Sequence, residues 1–348
     1  MDQVKQQSLA EKLEAHAEKL REIGFIGESG DLTRPVVTHS ASFIDELDDR
    51  LQYEPDYAEI GNLPEMFFLK DIAQPGEEPV YPYHGESNDI IHAVDHFFPG
   101  RKFDAAIECF AGAGHCGIKL RNSKSLKPGS PINAVDINPR AIALAKANSS
   151  INDSGVQYHQ ADVLCDGFRN LPDEAKKPGE TIYFGNAPFA LTTPARDLEV
   201  CRDGGSDGLE KTMAFIQASL NHASPGDAIV GVAYSRVGES GNYEFEDRLK
   251  QLQSKERQFK YKIELVQGAK LWRGYNGEKE QDNPMDLRMM TTKGEPGSKR
   301  YQEYESMAAA YKEEGWDKLS YVRYSVEILA PASEQIVETH EKIADALK

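Results

Sequence analysis

The stretch Ala105–Ile118, AAIECFAGAGHCGI, decides the fold. Its first six residues, Ala105–Phe110, form a mostly apolar run of strand length. Behind them, Gly112, Gly114 and Gly117 fall at the G-x-G-x-x-G spacing of a nucleotide-binding turn. Glycines at such a turn let the backbone approach a ligand closely, and the helix that opens after it attracts an anion. A pyrophosphate or a carboxylate satisfies those demands equally, so the turn alone does not choose its ligand. Glu108, just before it, is an acidic residue that a plain nicotinamide site does not need.

Working outward, strand and helix signals alternate, which predicts a parallel sheet with helices on both faces. The expected strands are Ala105–Phe110, Ile132–Ile137, Val156–Val163, Thr181–Phe184, Ala228–Tyr234 and Tyr261–Val266. A last one, Ser320–Leu329, alternates apolar and polar residues as an antiparallel edge or hairpin strand does. PRAIALAKANSSI (139–151), GLEKTMAFIQASLNHA (208–223) and EFEDRLKQLQSKERQ (244–258) are the helices between them, and NDIIHAVDHFF (88–98) leads in. Upstream, Ser8 and Glu11 suggest a capped helix running to Ile23, and SASFIDELDDRL (40–51) a second one. Residues 1–80 thus read as a mostly helical segment before a catalytic domain at 81–348. Gly268–Leu319 is a long insert between the last two strands. It is either a lid beside the site or a surface elaboration with its own helix, QEYESMAAAYKEE (302–314).

Three further positions narrow the ligand. Asp136 closes the second strand at the offset where a carboxylate accepts the two hydroxyls of a ribose, although it also suits a helix cap. Asp162 closes the third, where its acceptor would meet an adenine amino group with Val163 or Ala161 against the ring; an isolated Asp there also suits a loop cap. At the end of the fourth strand stands YFGNAPFAL (183–191). A planar nitrogen has a delocalised lone pair and attacks a sulfonium methyl poorly. The side-chain oxygen of Asn186 and a neighbouring carbonyl can each accept one of its N–H groups and turn it toward the methyl. Pro188 stiffens this turn and Phe189 offers a flat apolar face.

Glu108 to Gly114, Asp136, Asp162 and the Asn186 motif occur in the order seen in class I S-adenosylmethionine-dependent methyltransferases, which the chain resembles. The likeness is to the release-factor glutamine methyltransferases and related Asn-Pro-Pro-Tyr/Phe amino-methyltransferases. It extends through GGSDGLEKTMAFIQASLNHASPGD (204–227) and back to the entry segment YPYHGESNDII (81–91). The resemblance implies a Rossmann-like, doubly wound, seven-stranded α/β sheet and S-adenosyl-L-methionine as cofactor. It implies that Glu108 orients the methionine amino group and that Phe110, Gly112, Gly114, Asp136, Asp162 and Val163 complete the cofactor site. The catalytic set would be Asn186, Pro188 and Phe189. Phe110 stands at the first glycine of the usual motif, as in some ribosomal RNA guanine methyltransferases, and Ala187 replaces the first proline of the catalytic motif.

The acceptor would be an amide, guanidine or amino nitrogen of a protein side chain or a small amino-acid-like metabolite. Tyr83 and His84 in the entry segment, and Trp272 and Arg273 in the insert, are the candidate substrate-binding residues. The alternatives are a nucleic-acid base amino-methyltransferase, an NAD-dependent oxidoreductase and a catalytically silent cofactor-binding protein. With 57 acidic against 40 basic residues in 348, the net charge is −17, which repels nucleic acid and makes it an unfavoured partner. Four unspaced cysteines and a polar start suggest a reduced, soluble, cytoplasmic protein with no membrane partner. His92 and His96 lie one helical turn apart with His84 nearby, but no Cys or carboxylate completes a metal set, and no metal is expected.

Overall fold

In the computed structural model the described residues are 15, 17–22, 36–41, 66–71, 80, 86–191, 200–254, 257–266, 270–273, 280–282, 285–286 and 296–329. The first elements are α1 (Ala17–Glu22) and the antiparallel pair β1 (Val36–Ala41) and β2 (Met66–Asp71). There follow α2 (Glu86–Phe97), β3 (Ala105–Cys109), α3 (His115–Arg121), β4 (Ile132–Asp136), α4 (Pro139–Ile151) and β5 (Gln157–Gln160). Next come α5 (Val163–Asp166), β6 (Thr181–Gly185), α6 (Glu210–His222), β7 (Ala228–Gly238), α7 (Glu244–Leu252) and β8 (Phe259–Leu265). The chain continues with β9 (Lys270–Arg273), β10 (Glu280–Asp282), β11 (Met285–Asp286), α8 (Lys299–Glu313) and β12 (Trp316–Ile328).

The main sheet runs β5-β4-β3-β6-β7-β12-β8, and β11 adds two residues beside Lys318 and Leu319 of β12. β4, β6, β5 and β7 are parallel to their neighbours, while β12 is antiparallel to both β7 and β8. The order therefore reverses at β3, and the reversed strand lies second from one edge. This is the doubly wound α/β methyltransferase sheet expected from the sequence, with its ligand crevice at the switch point beyond β3 and β6.

Strand periodicity splits the core into two layers. Ala106, Ala134, Ile182, Phe184, Val230 and Tyr321 face α2, α3, α4 and α8, where Ile90, Ile118, Ile142 and Tyr304 lie buried. Ile107, Val135, Tyr183, Ile229 and Tyr324 face α6 and α7, through Phe215, Ile216, Phe245 and Leu249. α4 begins because the Asn138 side chain accepts from the Arg140 amide at 2.9 Å with Pro139 in the first turn. That leaves Asp136, the other candidate cap, available for the glycine turn.

Three expectations need correction. The third strand covers Gln157–Gln160 and not Val156–Val163, because Asp162 caps α5 and Val163 is that helix's first residue. β12 is antiparallel but interior, buried between β7 and β8, so Ser320–Leu329 is not an edge. Its alternation arises because Ser320, Arg323 and Ser325 are buried polar residues, and Arg323 Nε donates to Glu264 at 2.9 Å. Ser40 and Ala41 lie in β1 opposite Phe67 and Met66, so no helix starts at Ser40. β-branched Val36, Val37 and Thr38 favour the strand. Ser8 and Glu11, which suggest the first helix, and residues 42–51 of the second lie outside the described residues. Within the insert, the helix forms as Lys299–Glu313, capped by Ser298, and it packs into the body through Tyr304, Ala308 and Tyr311.

An ion network joins this helix to the sheet. Arg236, at the end of β7, donates to both oxygens of Glu244 at 2.6 and 2.8 Å and to Glu314 at 2.9 Å. Its guanidinium lies 4.4 Å from the ring centre of Tyr311. Removing one partner of a buried pair strands the other, at a cost of about 3–5 kcal/mol. Arg236→Met should therefore lower the unfolding free energy by about 3 kcal/mol in chemical denaturation. The double change Arg236→Met with Glu244→Leu should recover at least half of it; equal losses would contradict the network.

Candidate active site

The register of β3 with β6 sets the site: Cys109 pairs with Gly185, so the glycine turn and the Asn186 loop leave the sheet side by side. A cavity of about 490 Å³ opens there. Its walls carry Phe110–Ala113 from the turn, Asp136–Asn138 beyond β4, Ala161–Cys165 beyond β5 and Asn186–Leu191 beyond β6. Glu86 and Ser87 from the start of α2, His115 and Cys116 from α3, Arg202 and Lys211 beyond the Asn186 loop, and Tyr234 from β7 are also in the lining.

Phe110 takes φ 59°, the left-handed region that glycine tolerates and that costs another residue roughly 1–2 kcal/mol. The chain thus keeps the geometry of the missing glycine, with the Phe110 ring edge-to-face against Phe215 at 5.9 Å. Gly114 has φ 85°, and a Cβ there would lie 2.5 Å from the Tyr158 hydroxyl, so only glycine fits. Asn148 fixes the turn by donating to the Ala113 carbonyl at 2.9 Å.

Asp136 holds both sides of the crevice. One carboxylate oxygen accepts from the Gly112 amide and the other from the Asn138 amide, each at 2.8 Å. Burial raises its pKa while these amides oppose the shift. Asp162 caps α5, accepting from Leu164 and Cys165 amides at 3.0 and 3.2 Å. Its pKa is lowered chiefly by a hydrogen bond from the Cys165 side chain. Beside them Ile137 is 52% exposed yet lines the cavity, a solvent-facing apolar surface in a lining that also includes Val163.

Asn186 is the distinctive feature. Its Oδ1 is buried and accepts no hydrogen bond, a state that costs about 1–3 kcal/mol unless a ligand relieves it. Phe189 stacks near Tyr234 at 4.8 Å and Tyr321 at 6.0 Å, and the Tyr321 hydroxyl donates to Asp89 at 3.0 Å. The Gly204–Gly208 segment clamps this loop. Ala190 donates to the Arg202 carbonyl at 3.0 Å and Gly204 to the Ala190 carbonyl at 2.9 Å. A Cβ on Gly204 would lie 2.5 Å from the Phe189 Cα. Asp207 pairs with Arg248, and the Tyr311 hydroxyl donates to the Ser206 carbonyl. Arg248 and Tyr311 were not legible as site supports, because Asp207 and Ser206, the partners that tie them to this loop, lie 41 and 105 residues away.

Glu108 is placed differently from expectation. It is 1% exposed, is not among the cavity-lining residues, and its Oε2 accepts from the Gly117 amide at 3.0 Å. Its place on β3 turns it toward α3, beneath the turn. Gly114 lies behind the turn as the residue that caps α3, whereas Phe110, Gly112, Asp136, Asp162, Val163, Asn186, Pro188 and Phe189 all line the one cavity. Tyr83 and His84 fall outside the described residues, and Trp272 and Arg273 stand in β9 opposite Gln281 and Glu280, with side chains outside the described set. His92 and His96 stack at 5.7 Å and join Arg323 and Glu264 in a charge cluster. Among the described residues no group of three His, Cys, Asp or Glu could hold a metal, and no helix is long and apolar enough to cross a membrane.

No family model matches the chain. Over 117 residues it is 29% identical to the "Putative protein N5-glutamine methyltransferase" of Methanocaldococcus jannaschii, covering 32% of this chain and 55% of that protein. The chain thus spans about half the length of the curated relative it matches. Among solved structures, a "putative transferase" of Pyrococcus horikoshii aligns with TM-score 0.44 and 11% identity over 92% of this chain and 86% of that one. TYW2 of M. jannaschii, in complex with AdoMet, aligns with TM-score 0.41 and 16% identity over 76% and 83%. At such similarity the assignment of fold rests on the strand order itself.

Burial pushes the Glu108 carboxyl up to about 8 from 4.5, against the opposing Gly117 amide. Between those pH values the folded chain keeps a proton that the unfolded chain has released, so this group's contribution to stability falls as pH rises. Glu108→Gln removes the titration. Its denaturation midpoint should decline less than the wild type's between about pH 5 and 8; parallel declines would contradict the burial.

Proposed function

We propose that the chain is an S-adenosylmethionine-dependent N-methyltransferase acting on an amide, guanidine or amino nitrogen. The observation that carries this reading is the Asn186 Oδ1, buried without a hydrogen-bond partner on a residue that lines the cavity at the end of β6. An amide oxygen held there without a donor suits an acceptor that brings its own N–H. The cavity fits the cofactor in chemistry as well as place: a carboxylate at Asp136, apolar faces at Ile137 and Val163, and a close backbone at Gly112.

S-adenosylmethionine, when bound, supplies an electrophilic methyl group on a sulfonium. The residues of the chain bind and orient. Asp136 has lone pairs beyond those given to Gly112 and Asn138 and accepts the ribose hydroxyls. Asp162 receives the adenine amino group, with Val163 and Ile137 against the ring. Asn186 Oδ1 accepts one acceptor N–H and an adjacent loop carbonyl another, aiming the lone pair, while Phe189 packs on the acceptor plane. Catalysis comes from positioning, since an amide side chain takes no proton near neutral pH.

The acceptor is read as a protein side chain or a small amino-acid-like metabolite, which the charge of −17 favours over a polyanion. An NAD-dependent oxidoreductase would leave Asn186 without a purpose.

Calorimetric titration should show S-adenosylhomocysteine binding with a Kd below about 100 μM and NAD not binding. Transfer of a labelled methyl group is then followed into glutamine-containing peptides, free amino and guanidino compounds, and tRNA. Label on nitrogen in either of the first two supports the reading; label in tRNA alone overturns the acceptor, and NAD binding in place of S-adenosylhomocysteine overturns the whole. Asn186→Ala should keep the S-adenosylhomocysteine Kd within about threefold while transfer falls at least about 100-fold. Transfer within about threefold of wild type would remove Asn186 from catalysis.

A further inference from the structure

We propose that Glu86, not Glu108, receives the α-ammonium group of the cofactor's methionine moiety, an assignment that rests on reading the cavity as an S-adenosylmethionine site. The ammonium is a compact, strongly hydrated cation, and its transfer into a cavity calls for a charged acceptor. Among the described residues three carboxylates line the cavity: Glu86, Asp136 and Asp162. Asp136 and Asp162 stand at the ends of β4 and β5, beside Ile137 and Val163, where the adenosine lies in the proposed function. Glu86 stands apart from them, on the first residue of α2.

The position of Glu86 matches the amino-acid end of the cofactor. Adenosine beyond β4 and β5, and the methyl group beside Asn186, leave the far arm to run along Ala111–Ala113 toward His115 and Cys116. That wall is the one next to Glu86. Burial chiefly raises the Cys116 thiol pKa, with the charge of Glu86 adding to it and the nearby Ser87 side chain opposing it, so the start of α2 lies against the start of α3. Ser87, His115 and Cys116 line the same cavity.

Glu108 cannot take this part from where it stands. Its carboxylate is closed off beneath the turn, on the Gly117 amide, and a Cβ at Gly117 would lie 2.4 Å from its Oε2. Burial also holds it toward the neutral acid near pH 7. Its work is to support the turn from below, and the cavity's own carboxylate meets the cation.

The test compares two ligands that share the adenosine and the sulfur. S-adenosylhomocysteine carries the ammonium; 5′-methylthioadenosine lacks the whole amino-acid arm. Both are titrated calorimetrically into wild type, Glu86→Gln and Glu108→Gln. Glu86→Gln should weaken S-adenosylhomocysteine by at least about tenfold and leave methylthioadenosine within about twofold, which also shows that the variant is folded. Glu108→Gln should change the ratio of the two affinities by less than about twofold. Equal weakening of both ligands by Glu86→Gln, no weakening of either, or a selective loss in Glu108→Gln would overturn the assignment. A wild type that binds neither nucleoside would overturn the methyltransferase reading itself, an outcome distinct from those three.

Discussion

The site depends first on the parallel register of β3 with β6, in which Glu108 lies opposite Phe184 and Cys109 opposite Gly185. Shifting either strand by one residue would turn its whole buried set to the other face. Phe184 would leave the layer of α2 and α4, and Tyr183 would leave that of α6. Burial on both faces therefore fixes the register, and the register puts the glycine turn and the Asn186 loop at one sheet edge. Asp136 then ties the turn to the end of β4 through two backbone amides. The cavity is a consequence of strand packing rather than of its own lining.

On this scaffold the loop after β6 is held from outside. Gly204 presses on the Phe189 backbone, Asp207 reaches Arg248, and Tyr311 reaches the carbonyl of Ser206. Arg236 carries the chain of contacts on through Glu244 and Glu314 to the insert helix. The alternatives of lid and surface elaboration both miss this part of the insert: α8 is a buttress whose Tyr304 and Tyr311 are buried in the core. Catalysis by positioning needs such stiffness, because small displacements of the aligned groups are costly.

Much of this was legible in the chain. The helix 139–151 matches α4 to the residue, since Asn138 and Pro139 mark its start by local chemistry. β3, β4, β6 and β7 were readable because both of their faces are buried and their apolar runs are nearly continuous, whereas the third strand, partly exposed, is four residues long and not the eight expected. Other features depend on distant partners. β12 alternates because Ser320, Arg323 and Ser325 are buried polar residues, with Arg323 held by Glu264 of β8, a pattern that imitates an exposed strand. β1 needs β2, 25 or more residues on, to show itself as a strand. The place of Glu108 before the turn is visible in sequence, but the direction of its side chain, onto the Gly117 amide, depends on the packing of α3. Phe110 shows the reverse: sequence marked it as a departure, and the backbone absorbs it at φ 59°.

The central claim is that Asn186 presents an amide oxygen to the acceptor beside the methyl donor. A crystal structure with S-adenosylhomocysteine bound tests it most directly, by the distance from Asn186 Oδ1 to the ligand sulfur. The account predicts a separation of roughly 4–6 Å, close enough for one nitrogen to lie within hydrogen-bond reach of Oδ1 and in line with the sulfur. A separation beyond about 10 Å, or adenine seated away from Ile137 and Val163, would contradict it.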